Sequence, residues 1–99
     1  RWRADEISNQ AIAELLVDWL YNSGSVAITA PQRILGVRAD GIVGPVTLKA
    51  VNTAGQRELF DRVMHERRHY YEDLASRRPA MRKFLKGWLN RLSHFKFEE

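Results

Sequence analysis

The stretch from Gln56 to Arg77 constrains this chain most. Wound at about 100° per residue, it brings Leu59, Phe60, Val63, Met64, Tyr70, Tyr71 and Leu74 into one arc of roughly 140°. Only a helix makes a single face of those positions, and an apolar stripe of that length needs other elements laid along it. Arg67 falls inside the same arc. A guanidinium there must snorkel or find a carboxylate or carbonyl partner, because burying it unpaired is costly. Two readings follow: a structural ion pair, to Asp18 or Asp40, or a contact to ligand from the wall of a cleft.

The rest of the chain supplies partners for that stripe. Residues 5–22 carry Ile7, Ala11, Ile12, Leu15, Leu16, Trp19 and Leu20 at the three-and-four spacing of a one-sided helix, closed by Gly24 as a left-handed cap. Val26 to Leu35 predicts a second helix ending at Gly36, with Pro31 in its first turn or marking a break. Asp40-Gly41-Ile42-Val43-Gly44-Pro45 reads as a turn, and Pro45 as the first position of a helix to Thr53. A last helix runs from Pro79 to about Leu92 with Met81, Phe84, Leu85, Trp88, Leu89 and Leu92 inward. The expectation is an all-α, compact bundle of about five helices in a single domain over residues 1–99.

Composition agrees with a small folded domain. The 99 residues are 44% hydrophobic and include three Trp, three Tyr and four Phe, which a chain burying only about two-thirds of its unfolded surface needs for its core. There is no cysteine, hence no disulfide or thiolate metal site, and this says nothing about compartment. No apolar run approaches the roughly 20 residues of a membrane span. The chain opens Arg1-Trp2-Arg3, without initiator Met or signal pattern, as expected of a piece of something longer. Its net charge of +4 is uneven: residues 1–55 hold five Lys/Arg against five Asp/Glu, residues 56–99 eleven against seven. Arg77, Arg78, Arg82, Lys83, Lys86, Arg91 and Lys96 follow one another with no carboxylate between them. Such a run is either a solvated helix face or a surface that attracts a polyanion, nucleic acid or a wall polymer bearing carboxylates and phosphates.

One motif invites an enzymatic reading. His65-Glu66-Arg67-Arg68-His69 matches H-E-x-x-H, in which two histidines a turn apart ligate zinc and the glutamate activates the bound water. On the wheel both histidines lie opposite the apolar arc, facing solvent with Glu58, Arg62 and Glu72. No third histidine follows at a suitable spacing, the only carboxylates well downstream are Glu98 and Glu99, and two arginines raise the local potential against a dication. No metal and no cofactor are therefore expected, with zinc hydrolysis the third choice of function.

Gln32-Arg33-Ile34-Leu35-Gly36 and Asp40-Gly41-Ile42-Val43-Gly44-Pro45-x-Thr47-Leu48 resemble the signature of small peptidoglycan-binding helical domains of bacterial and phage wall hydrolases. Trp19 to Gly24, Arg67-x-x-Tyr70-Tyr71-x-x-Leu74 and Phe84-x-x-Gly87-Trp88-Leu89-Asn90-Arg91 narrow that resemblance. Together they are similar to the C-terminal part of phage-type N-acetylmuramidases, the lysozyme-like glycoside hydrolase family also called secretion activating protein. The resemblance implies a peptidoglycan partner, glycan strand or stem peptide, and a place at the bacterial wall, in the periplasm or outside the cell. That family carries its catalytic glutamate in Glu-Gly-Gly-Tyr, which this chain lacks, and nothing here offers by spacing the carboxyl pair that glycoside hydrolysis needs. The chain is thus expected to be the non-catalytic, wall-binding or scaffold share of a parent hydrolase.

A sugar needs a flat aromatic face and planar amide or carboxyl groups. Asn22, Asp40, Arg67, Tyr70, Trp88, Asn90 and Arg91 are the ligand-binding candidates, with Tyr71 an alternative to Tyr70 and Trp19 a neighbour of Asn22. Core packing competes for each aromatic, and turn formation for Asp40. The alternative function is a nucleic-acid-binding helical domain using the basic run; a protein-interaction role, suggested by the secretion name, remains open as well.

Overall fold

The computed structural model describes residues 2–97; Arg1 and the terminal Glu98 and Glu99 named above lie outside the described residues. Five α-helices follow one another: α1 (Gln10–Ser23), α2 (Val26–Leu35), α3 (Pro45–Thr53), α4 (Gln56–Arg77) and α5 (Arg82–Leu92). Short 3-10 turns occupy Ala4–Glu6 and Pro79–Met81, and no strand forms among the described residues. The architecture is an all-α bundle. No described helix is long and apolar enough to cross a membrane.

Helix α4 is the mast, as its stripe demanded. Leu59, Phe60, Val63 and Tyr71 are buried against Ile12, Leu15, Leu16 and Trp19 of α1, Ala27 and Ile28 of α2, Leu48 and Val51 of α3, and Leu92 of α5. Removing these side chains from water is the main force assembling the helices. Helix α5 lies as an outer layer with only Leu92 buried, and Phe84, expected inward, is 46% exposed. The reason is that α5 meets the bundle along one flank, so the far side of its apolar face has nothing to pack on.

Several boundaries moved for local reasons. The first helix starts at Gln10 rather than at residue 5, because the Asn9 side chain takes the cap and accepts from the Ile12 N–H at 3.1 Å. Ile7, counted in the periodic set, is extended and still buried. The Asn52 side-chain amide holds this entry segment on α3, accepting from Ser8 N–H at 2.8 Å and donating to Glu6 O at 2.9 Å. Gly24 has the expected positive φ of 75°, but its ψ of −147° is not left-handed helix; it turns the chain into α2 within two residues. The left-handed cap is Gly36, at φ 74° and ψ 18°. Pro79 opens a 3-10 turn, and α5 proper begins three residues later.

Pro31 neither starts nor breaks α2; it sits buried in the middle of it. A proline there lacks the N–H that would have reached the carbonyl of Ala27, four residues back. Trp2 takes that place, its indole N–H donating to Ala27 O at 3.1 Å while its ring joins the core. The chain start thus supplies the hydrogen bond that the proline cannot.

Candidate functional site

Two side-chain hubs organise the polar residues. In the first, the fully buried Gln32 staples the Asp40–Thr47 turn. Its amide nitrogen donates toward Asp40 Oδ1 (3.1 Å), Ile42 O (3.0 Å) and Thr47 Oγ1 (3.1 Å), and its Oε1 accepts from Gly41 N–H (3.0 Å). Asp40 Oδ1 also accepts from Ile42 N–H at 3.0 Å. That backbone hydrogen bond and the Gln32 amide outweigh a desolvation penalty and hold the Asp40 carboxyl below its ordinary value. Asp40 therefore braces the turn.

The second hub is Asp18. It accepts from Arg67 Nη2 at 2.7 Å and from Arg91 Nε at 3.1 Å, joining α1 to α4 and α5. Arg67 has no exposed surface: its Nε donates to the Tyr71 hydroxyl at 3.0 Å, and its guanidinium lies 5.5 Å from the Tyr71 ring and 5.4 Å from the Phe95 ring. Of the two sequence readings, the structure gives Arg67 the ion pair, with Asp18 as the partner, while Asp40 is engaged in its own turn. Burial alone would push the Asp18 carboxyl up; the hydrogen bonds and charges of Arg91 and Arg67 outweigh it and leave it below its ordinary value. The hydrogen bond to Asp18 correspondingly raises the Arg91 guanidinium above its own.

An aromatic stack adjoins the second hub through Tyr71. Trp19 meets Tyr70 edge-on at 6.2 Å, Tyr70 lies 5.8 Å from Tyr71, Tyr71 stacks on Trp88 at 5.0 Å, and Trp88 lies 5.9 Å from Phe84. Tyr70 and Trp88 are half-buried, and the rings turn toward one another across α1, α4 and α5. Asn22 is exposed at the end of α1, directly after Tyr21.

Helix geometry separates Asn90 from Arg91, since adjacent residues point about 100° apart. Asn90 faces a groove of about 1030 Å³ between α4 and α5, and Arg91 faces a cleft of about 870 Å³ on α1. The expected site residues consequently do not converge on one place. The α4–α5 groove has an apolar floor of Met64, Leu89 and Leu92. Its walls carry His65 and Arg68 on one side and Lys83, Lys86, Gly87 and Asn90 on the other, and none of the lining residues is acidic. Arg68 keeps a loose, exposed pair with Glu72 at 3.4 Å, and Arg77 pairs with Asp73 at 3.1 Å. The basic run is thereby divided: Lys83 and Lys86 enter the groove, while Arg77 and Arg91 are engaged elsewhere.

Gly87 is the unusual member of this groove. It is in mid-helix without a positive φ, and a Cβ added there would meet nothing within 4 Å. Neither backbone nor packing calls for glycine, although glycine costs a helix about 1 kcal/mol relative to alanine. What its bareness provides is open space along the groove wall. His65 and His69 are both exposed, and His65 alone of the two lines the groove. Among the described residues no three metal-ligating side chains gather.

Two important residues escaped the sequence reading. Gln32 was visible only as part of a motif, and its hub role depends on a turn folding back over α2. Tyr21, 92% exposed, stands diametrically opposite the buried stripe of α1, and that placement on the wheel was the available signal.

A family model described as "Predicted Peptidoglycan domain" matches residues 26–93, from α2 through α5, more than two thirds of the chain. No curated protein matches it. The matched segment contains both the Gln32 hub and the α4–α5 groove; α1, with Asp18 and Tyr21, precedes it.

Proposed function

Because the chain belongs to the predicted peptidoglycan domain family, we propose that it is a non-catalytic peptidoglycan-binding module acting at the bacterial wall, the partner of a catalytic N-acetylmuramidase segment in a wall-degrading enzyme. The α4–α5 groove receives the anionic part of the polymer, the carboxylates of its stem peptides. The observation that carries this reading is the groove itself: three cationic side chains and His65, no acidic lining residue, an apolar floor, and a glycine that keeps the wall open. Lys83, Lys86 and Arg68 attract carboxylates, Asn90 offers amide hydrogen bonds, and Met64, Leu89 and Leu92 take up methyl groups of the peptide. Neither a metal nor a cofactor enters this chemistry. Division of the basic run between separate faces speaks against a duplex-reading surface, which would place its cations and polar readers on one element.

The test is co-sedimentation with insoluble peptidoglycan at physiological salt. Wild type is retained, retention falls as salt rises, and it is lost in Lys83→Ala/Lys86→Ala and in Gly87→Gln, which fills the groove. Asn90→Ala weakens it. Trp88→Ala weakens it through loss of the stack on Tyr71, with an accompanying fall in stability. No retention at physiological salt, retention indifferent to the lysine pair and Gly87, or preferential capture by duplex DNA would each remove the proposal.

A further inference from the structure

The cleft on α1 is chemically the opposite of the α4–α5 groove. Gln10, Glu14, Val17 and Tyr21 succeed one another along the solvent side of α1, at the spacing that stacks them into one strip. Ile7 and Ala13 floor the cleft, and Arg91 and Phe95 close its far side. Gln10 Nε2 donates to Glu14 Oε1 at 3.0 Å, setting an amide and a carboxylate side by side. Asp18 and Arg91 form a second planar pair, held in place because Asp18 is anchored by the buried Arg67. Tyr21 rises at the rim with its ring almost wholly free.

From this arrangement we infer that the α1 cleft binds the neutral amino-sugar strand of peptidoglycan, through stacking on Tyr21 and hydrogen bonds to the Gln10–Glu14 and Asp18–Arg91 pairs. The inference rests on the wall-binding reading above and adds a second contact to it. Charge selects the occupant. Asp5, Glu14 and Asp18 line the cleft against Arg91, and with Arg67 paired to Asp18 behind it the balance is still negative, so an anionic stem peptide is disfavoured there and drawn instead to the basic groove. A sugar ring presents C–H bonds to an aromatic face and hydroxyls to planar carboxylate, amide and guanidinium groups, and the cleft offers each of these. Its volume of about 870 Å³ lies within the range of small-ligand sites, about 300–1,000 Å³. The anchoring of Asp18 and Arg91 before any ligand arrives reduces the entropy lost on binding.

The probe is tetra-N-acetylchitotetraose, a neutral β-1,4 oligomer of N-acetylglucosamine, titrated into the whole chain by NMR. Saturable shifts should centre on Gln10, Glu14, Val17, Tyr21 and Arg91. Tyr21→Ala, at an exposed position that does not support the core, should weaken binding about tenfold or more. Tyr21→Phe, which keeps the ring, and Lys83→Ala/Lys86→Ala, which alters only the other groove, should leave binding within about twofold of wild type. Absence of shifts at millimolar sugar, shifts centred elsewhere, or equal affinity in Tyr21→Ala overturns the inference. Loss of sugar binding with sedimentation on peptidoglycan still dependent on Lys83 and Lys86 removes the cleft and leaves the wall reading standing. Sugar binding with sedimentation that depends on Tyr21 and is indifferent to Lys83 and Lys86 removes the groove and leaves the cleft, and sugar binding with no sedimentation on peptidoglycan at all overturns both.

Discussion

Gln32 and Arg67 are both fully buried polar side chains, yet they hold the molecule on different scales. Gln32 reaches partners eight to fifteen residues along the chain and closes one turn. Arg67 meets Asp18 across 49 residues, and Asp18 meets Arg91 across 73, so this cluster ties three helices together. A local hub stabilises the shape of one segment, whereas a long-range hub stabilises the assembly of segments. The same difference separates the family-matched part, residues 26–93, which contains the whole Gln32 hub, from the α1 segment that contributes Asp18 to the other.

The largest effect expected from breaking this comparison is at Arg67. Arg67→Met removes the guanidinium from a site with no access to water and should cost about 3 kcal/mol in urea-induced unfolding. A loss below about 1 kcal/mol would show that the cluster does not tie the bundle. Gln32→Ala strands the buried Thr47 hydroxyl, removes three partly buried hydrogen bonds of the turn and should cost about 2 kcal/mol. Here the diagnostic is location: amide exchange should accelerate at residues 40–47 well before α1 or α4 is affected, and a uniform change would erase the distinction between local and global hubs.

Smaller effects sharpen the contrast at its edges. Trp2→Phe keeps the ring in the core but strips Ala27 O of the donor that replaces the Pro31 N–H, for a loss of about 1 kcal/mol. Because only the proline makes that donor necessary, Pro31→Ala should recover part of the loss in the double variant, and simple additivity would argue against the compensation. Gly87→Ala should raise stability by about 0.5–1 kcal/mol, since nothing crowds the new methyl. Unchanged stability there would mean that the glycine has a structural use after all.

The pH effect is the smallest and is confined to acid, because at neutrality the Asp18 contribution is fully present. Asp18 has a folded-state pKa below the ordinary 3.8, so its contribution is complete above that value and is lost as acid protonates the folded carboxyl. Stability should fall with a steeper slope below pH 3.8 in wild type than in Asp18→Asn, read from denaturant midpoints across an acid series. Equal slopes would remove Asp18 from the acid limb.

Much of the fold was legible in residues that act on their near neighbours. The stripe of α4, Pro45 as a helix start and Gly36 as the end of α2 each follow from periodicity or backbone preference and hold as read. The start of α1 slipped because a near neighbour competed, Asn9 capping it at Gln10, whereas α2 kept its expected bounds and only the placing of Pro31 failed, because the distant Trp2 replaces its missing N–H. The candidate site was legible in kind and not in place. Asn90 and Arg91 are adjacent in a motif yet open onto different grooves, and Tyr21, inside the Trp19–Gly24 stretch but not among the candidate site residues, presents the freest aromatic ring.

The amino-acid sequence by itself determined five one-sided helices, the turn between the second and third, and an arginine that had to find a partner inside an apolar stripe. These rest on 3.6-residue periodicity and on the restricted backbone of Gly and Pro, which act within a few residues. Only the tertiary structure decided that Asp18 rather than Asp40 pairs with Arg67, and which helix faces remain uncovered to form a basic groove and an acidic cleft. Those outcomes depend on how helices far apart in the chain come to lie against one another, a geometry set by the packing of their apolar faces and absent from any local spacing.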